Sequence, residues 1–236
     1  MEPTNPAIAL HNFNAVPRHI PDLLKTVNTS ATELTAVAPL PKSPTAISIL
    51  SYAREHLPTP TLHHSLRVFQ YGVAIANDHF PSENLNLETY FVASLLHDIG
   101  TIPENISTAL ISFEFHGGII AHGLLSAHDV KQADAVAEAI IRHQDIDDIG
   151  SGNITFLGAL LQLATLYDNA GANDKLVADV TREFVVAEYP RLKWSSCFEA
   201  AITEECQRKP WSHTTKIGRD KFVGFIKGNT KGNAME

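Results

Sequence analysis

The sequence is poor in cysteine and in long apolar runs. Cys197 and Cys206 are its two cysteines, and their spacing fits neither a CxxC metal site nor a disulfide framework. No apolar run approaches the roughly 20 residues that a helix needs to cross a bilayer, and the first residues lack the basic start and apolar core of a secretion signal. We therefore expect a reduced, cytoplasmic protein with no membrane partner.

Positive charge is also scarce. Lysine and arginine total 18 against 26 aspartates and glutamates, which gives a formal net charge of -8 with histidine neutral. Nucleic-acid binding depends on clustered lysines and arginines that neutralise phosphates, so the composition argues against a nucleic-acid partner. Histidine, by contrast, is frequent at 12 residues, and the positions of these histidines carry more information than their number.

Alternating strand patterns are nearly absent, whereas apolar residues recur at helical spacing from Thr45 onward. This predicts an all-α domain over residues 45–225. Within it, residues 106–127 are expected to form one or two helices with a break at Gly117-Gly118. Proline lacks an N–H and breaks helices; it recurs through residues 1–44 and predicts an extended N-terminal arm with a short helical turn near Asp22–Val27. Residues 226–236 are expected to form a flexible tail.

Several polar side chains fall on apolar faces of separate predicted helices. His63 and His64 lie about 100° apart on a helix, so one of them faces the core, and the apolar stripe through Val68 identifies it as His64. The inward-facing set is His64, His97, Asp98 and Asp168. A buried carboxylate or imidazole needs a partner. These nitrogen and oxygen donors suit zinc, iron or manganese, and an ordinary polar network is the alternative.

In the order H…HD…D, these residues resemble the HD superfamily of metal-dependent hydrolases, from roughly Thr45 to Asn173. The stretches "LLHDIGT", "SFEFHGGI", "AEAIIRHQD" and "YPRLKWSSCF" resemble the fungal cyanamide hydratase family, from about Ser51 to Thr215. The resemblance implies an HD-domain helical bundle behind the proline-rich arm. It also implies one Zn²⁺ per chain, with Fe²⁺ as the alternative, and the ligands implied for it are His64, His97, Asp98 and Asp168.

On this resemblance we expect the chain to add water to the nitrile carbon of cyanamide, a small neutral substrate, to give urea. A metal-bound hydroxide is the expected nucleophile, and Asp98 or His143 would carry a proton to the nitrile nitrogen. The expected catalytic residues are Asp98, His143 and Thr165. The expected substrate-binding residues are His143, Thr165, Glu114 and His116.

Several alternatives stay open at this point. His116 stands where the relatives usually have tyrosine, and together with His143 it offers ligands for a second metal. Other HD proteins hydrolyse nucleotides, but Arg67 and Arg142 are the basic residues of the site-bearing helices, and we expect both in surface ion pairs. Another small nitrile or an isocyanide as substrate, a non-enzymatic helical module and a homo-oligomeric state are further alternatives.

Overall fold

The computed structural model describes residues 5–27, 30–146 and 152–236. These ranges are mainly helical, which confirms the predicted all-α class. In chain order the α-helices are α1 (Pro6–Leu10), α2 (Ile20–Leu23), α3 (Pro44–His56), α4 (Thr59–His79), α5 (Leu87–Leu96), α6 (Pro103–Thr108), α7 (Phe113–Leu125), α8 (Val130–Arg142), α9 (Phe156–Ala170), α10 (Asp179–Glu188), α11 (Trp194–Arg208), α12 (Arg219–Lys227) and α13 (Thr230–Asn233). The described strands, β1 (Ala15–Pro17) and β2 (Asn153–Thr155), form one antiparallel pair. None of the described helices is long and apolar enough to span a membrane.

Helix α4 runs through the middle of the bundle. Pro60 occupies its first turn, where backbone N–H groups have no partner within the helix, so the N–H that proline lacks costs no hydrogen bond. Helices α5, α9 and α11 pack against α4, and most of its residues from His64 to Ala76 are buried around the whole circumference. A helix enclosed in this way also buries its polar residues. His64 is wholly buried as predicted, whereas His63 keeps partial exposure.

Helix α7 shows that the predicted break at Gly117-Gly118 is wrong. The helix continues without interruption from Phe113 to Leu125. A Cβ atom on Gly118 would lie 2.5 Å from Cγ1 of Ile141, so glycine permits a close approach between α7 and the end of α8. The glycines therefore serve helix packing, which a local sequence pattern cannot distinguish from a turn.

The N-terminal segment is more ordered than the predicted extended arm. The helical turn predicted near Asp22–Val27 matches α2 and the 3₁₀ turn that follows it, but α1 and β1 were not predicted. His11 is buried and its Nδ1 lies 3.0 Å from Oγ1 of Thr89. Phe13 and Val16 pack against the main core. The described part of this segment therefore belongs to the folded domain.

The C-terminal residues are not the flexible tail that the sequence predicted. Helix α12 extends past residue 225, and α13 follows it. Asn229 is buried, and its Nδ2 donates to the carbonyl oxygen of Asp168 at 2.9 Å. Glu236 accepts hydrogen bonds from the side chain of Arg191 and from the backbone N–H of Ser195. Polar partners far away in the sequence hold this segment against the bundle.

Candidate metal centre

Three candidate ligands meet where α4 passes the end of α5. His64 lies in the second turn of α4, and His97 and Asp98 follow α5 directly. The chain then turns through a 3₁₀ helix at Ile99–Thr101. Gly100 allows this turn to lie against α7, because a Cβ atom there would be 2.0 Å from the carbonyl oxygen of Phe113. In this arrangement Oδ2 of Asp98 lies 3.5 Å from Nε2 of His64.

The ligand atoms of His64, His97 and Asp98 all lie within 4.8 Å of one another, and all three residues are buried. Nε2 of His64 is 3.1 Å from Nε2 of His97. Oδ2 of Asp98 is 3.2 Å from Nε2 of His97 and 3.5 Å from Nε2 of His64. Two nitrogens and one carboxylate oxygen therefore point at a common centre.

The partners of the other ring nitrogens fix the protons on both imidazoles. Nδ1 of His64 lies 2.6 Å from Oδ2 of Asp168, and Nδ1 of His97 lies 2.8 Å from the carbonyl oxygen of Ser94. These oxygens can only accept, so each Nδ1 carries the donated proton. In the neutral imidazoles both Nε2 atoms then present lone pairs, and two lone pairs at 3.1 Å cannot hydrogen-bond to each other.

This group requires a positive charge. Both carboxylate oxygens of Asp98 are buried without a hydrogen-bond donor, and an unpaired buried carboxylate is costly. Burial by itself raises the pKa of Asp98, but the positive charge that His97 can carry outweighs this and lowers the pKa to about 2, so the carboxylate is ionised. Burial lowers the pKa of His97, but the charge of Asp98 outweighs this and raises it, so without a cation a proton on His97 supplies the positive charge. Burial lowers the pKa of His64 to about 4, so this imidazole is neutral. A divalent cation satisfies the carboxylate and both lone pairs together, and the donor set fits zinc or iron.

Asp168, the fourth predicted ligand, lies on the opposite edge of the His64 ring. Its Oδ2 accepts from Nδ1 of His64, and its carboxylate also pairs with Nε and Nη2 of Arg67 and Nη1 of Arg191. Burial alone would raise the pKa of Asp168, but the two guanidinium charges hold it well below its ordinary value. A carboxylate in this place orients the metal-binding histidine. Direct ligation by Asp168 stays a prediction.

Arg67 corrects a sequence prediction. It was expected in a surface ion pair, but its side chain is fully buried. It cannot be recognised as buried from the polar stripe on which it lies, because the carboxylate that neutralises it is 101 residues away. Arg142 behaves as predicted, since it pairs with Glu138 and Asp145 at a partly exposed position.

The predicted substrate residues His143 and Thr165 line one small cavity next to the centre. The ring of His143 stands edge-on to that of His97, with the centroids 5.4 Å apart. Nδ1 of His143 donates to the carbonyl oxygen of Ile140 at 2.6 Å, which leaves the lone pair on Nε2. Oγ1 of Thr165 donates to the carbonyl oxygen of Gln162, so this hydroxyl can accept from a ligand.

Glu114 and His116 lie in the first turn of α7. Glu114 is fully buried, its Oε1 is bound to Nδ1 of His213 at 2.7 Å, and its Oε2 has no hydrogen-bond partner. His116 is partly exposed. Among the described residues it belongs to no group of three potential ligands, and His64, His97 and Asp98 form the single such group in that part of the chain. The two-metal alternative gains no support.

Sequence reasoning missed several residues that support the centre. The ring of Trp194 stacks on His64 with the centroids 4.1 Å apart and donates its indole N–H to Oδ1 of Asn169. Nε2 of Gln144 donates to Nε2 of His143 at 3.2 Å. The adjacency of Gln144 to His143 was a visible signal, but the position of Trp194 depends on a contact between α11 and α4.

The chain matches one protein family and is similar to two curated relatives. A family model described as the HD domain matches residues 61–180, a range that contains all four predicted ligands. The chain is also 44% identical over 225 residues to the cyanamide hydratases DDI2 and DDI3 of Saccharomyces cerevisiae. Each alignment covers 94% of this chain and 98% of the relative.

Proposed function

The chain belongs to the HD domain family, and within it to the cyanamide hydratases; from this premise and from the geometry of the centre, we propose that it adds water to cyanamide to give urea. The observation that carries the proposal is the buried Asp98 carboxylate, which has no hydrogen-bond partner and faces the Nε2 atoms of His64 and His97. A carboxylate in this setting is suited to a cation. We further propose one Zn²⁺ per chain, with Fe²⁺ as the alternative that metal analysis would reveal.

A divalent metal held by His64, His97 and Asp98 would lower the pKa of water towards neutrality and so provide the nucleophile. The reaction joins the oxygen of water to the nitrile carbon and moves one proton of that water to the nitrile nitrogen. The resulting isourea tautomerises to urea. The protein must therefore hold a neutral linear molecule beside the centre and transfer one proton.

We assign this proton transfer to His143. Burial, with a smaller contribution from the charge of His97, lowers the pKa of His143, so the imidazole is neutral near pH 7 and can accept a proton at Nε2. The amide of Gln144 donates to the lone pair of this nitrogen, and this hydrogen bond has to break when Nε2 takes up a proton. A proton taken up at Nε2 can be delivered to the nitrile nitrogen, and such transfer contributes typically about 10² to 10⁴ in rate.

Thr165 and Glu114 supply acceptors for the amino group of cyanamide. The hydroxyl proton of Thr165 is used by Gln162, so its lone pairs remain available for an N–H of the substrate. Oε2 of Glu114 is buried and lacks a donor, and a substrate N–H would satisfy it. Acceptors of this kind orient the molecule so that its nitrile carbon faces the centre.

The phosphohydrolase alternative is disfavoured by the state of the buried arginines. Arg67 donates to Asp168 and to the carbonyl oxygens of Tyr189 and Pro190. Arg191 donates to Asp168, Ser195 and Glu236. Phosphate transfer depends on cationic groups that are free to contact phosphate oxygens. Both of these guanidinium groups are already occupied by the protein.

Urea formation from cyanamide, measured with metal content on the same preparation, tests the proposal. We expect the wild-type protein to produce urea, and expect a chelator or Asp98→Asn to abolish the reaction. The matched control is Asp134→Asn, which makes the same change in a more exposed ion pair and should retain activity. Hydrolysis of nucleotides without any urea formation would overturn the proposal.

Two features of the proposed protein stay predictions. The cytoplasmic location rests on the sequence and on Cys197 and Cys206, neither of which forms a disulfide. The homo-oligomeric state is a possibility raised by the sequence alone. Cell fractionation tests the first prediction, and the mass of the protein in solution tests the second.

A further inference from the structure

A small cavity adjoins the metal centre on the side of α9 and α12. Its volume is about 20 Å³, which suffices for a water-sized group. Its polar lining consists of His143, Gln144, Thr165 and Asn169. The remaining lining is apolar and includes Phe222 and Ile226 of α12, both of which are buried.

A second and larger cavity, of about 600 Å³, lies outside the first. Its rim includes His19, Pro21 and Lys221, all of which are exposed, so it opens to solvent. The two cavities share four lining residues. The shared residues are Ile146, Leu166, Ala170 and Phe225. These four apolar residues, here called the neck, lie between the cavity that opens to solvent and the small cavity lined by His143 and Thr165.

We propose that this neck is the entry route of the substrate, and that Phe225 limits the size of the nitrile that reaches the centre. The inference rests on the proposed function. Phe225 is 42% exposed although its neighbours Phe222 and Ile226 are buried, and its ring has Nζ of Lys221 5.5 Å from its centroid. A phenyl ring beside Leu166 and Ala170 in this lining would admit a narrow neutral molecule and obstruct a branched one.

Another cavity near the centre ends on an aromatic wall. It measures about 230 Å³ and is lined by Thr61, Cys197, Phe198 and Trp194, among other residues. Trp194 lies flat against His64, with an interplanar angle of 12°, and closes this approach. None of the predicted ligands or substrate residues lines this cavity. A further cavity, of about 150 Å³, borders Asp168 but neither His143 nor Thr165. The neck at Phe225 therefore offers the better route to the proposed substrate residues.

Phe225→Ala tests the proposal with cyanamide and the bulkier N,N-dimethylcyanamide as substrates. We expect the ratio of kcat/KM for the dimethyl compound to that for cyanamide to rise about tenfold, within the range by which a pocket discriminates a methylene group. Phe225→Trp, which narrows the neck, should lower the same ratio. The matched control is Phe184→Ala on α10, a similarly exposed phenylalanine that lines neither cavity, and it should leave the ratio unchanged.

A binding measurement distinguishes two outcomes: that Phe225 does not limit access, and that the proposed function is wrong. In the cobalt-substituted protein, azide binding is followed by absorption, and Phe225→Ala should accelerate azide association relative to Phe184→Ala. If the wild type forms no urea, the proposed function is wrong, and the rate of azide association alone then shows whether Phe225 limits access to the centre. Unchanged selectivity and unchanged azide association in both Phe225 variants would overturn the proposal. So would slower association in Ala201→Phe, which fills the cavity lined by Trp194.

Discussion

At the scale of single residues, the candidate centre shows which roles a sequence reveals. Asp98 follows an apolar run, so its need for a partner is visible locally. Asp168 raises the same question, but its answer is distributed along the chain, because Arg67 is 101 residues before it and Arg191 is 23 residues after it. The sequence predicts that such a carboxylate is paired. The sequence does not predict which residues pair with it, because these residues become neighbours only through folding.

The arrangement around Asp168 predicts a large loss of stability for Asp168→Asn. Two buried guanidinium groups would lose their carboxylate, and breaking a buried ion pair on one side costs about 3–5 kcal/mol. Chemical denaturation in the presence of a chelator measures this free energy of unfolding without a contribution from metal binding. Asp179→Asn is the matched control, because Asp179 pairs with Arg182 and Lys231 at an exposed position and should cost about 1 kcal/mol or less. Equal effects of the two variants would contradict the prediction.

His213 predicts a pH dependence of stability. Its hydrogen bond to Glu114 outweighs partial burial, and with the charges of Glu114 and Asp145 it raises the pKa of His213 above the ordinary 6.5, while Lys216 acts against the increase. A raised pKa in the folded state stabilises the fold fully below about pH 6.5. This contribution is lost as the pH rises through the raised value.

We therefore expect His213→Gln to lower the melting temperature more below pH 6.5 than at alkaline pH, as followed by circular dichroism. His122→Gln is the control, because His122 forms a more exposed pair with Asp134, and its effect should vary less with pH. A loss that is the same at every pH would assign His213 a packing role alone, through its stacking on Phe115.

At the scale of secondary-structure elements, prediction succeeded where one helix face carries the signal. The long helices α4 and α9 follow from apolar spacing, because a helix stripe is a local property. The β1–β2 pair could not be predicted, because each strand has three residues and is stabilised by a partner from the other half of the chain. The prediction of a break in α7 was wrong for a related reason, because Gly118 is required by its close contact with Ile141 of α8.

Two glycines of α7 give opposite predictions for the same substitution. Gly118→Ala would place a Cβ atom 2.5 Å from Cγ1 of Ile141, and overpacking of this kind costs about 1–3 kcal/mol. Gly123→Ala meets nothing within 4 Å and should stabilise the helix by about 0.5–1 kcal/mol. Thermal and chemical unfolding measure both changes. A shift of the same sign in the two variants would contradict the account of how α7 packs.

At the scale of the whole molecule, both terminal segments hold helix α9. The backbone N–H groups of Phe156 and Leu157, at its start, donate to the carbonyl oxygens of Asn14 and Asn12. Near its other end, the carbonyl oxygen of Asp168 accepts from Asn229. The unpaired backbone groups at a helix end need such partners. Segments that the sequence described as arm and tail therefore position the helix that carries Thr165 and Asp168.

Removal of residues 228–236 should therefore weaken the centre as well as the fold. The truncated protein would lose the Asn229 donor to Asp168 and the Glu236 contact to Arg191, so we expect a lower free energy of unfolding and weaker metal binding, measured by competition with a chromogenic chelator. Asn229→Ala alone should cost about 1–2 kcal/mol, because it removes a buried hydrogen bond. Lys231→Ala, which removes exposed ion pairs of the same segment, should leave metal affinity unchanged. A truncated protein with wild-type metal affinity would show that α9 keeps its position without the C-terminal segment.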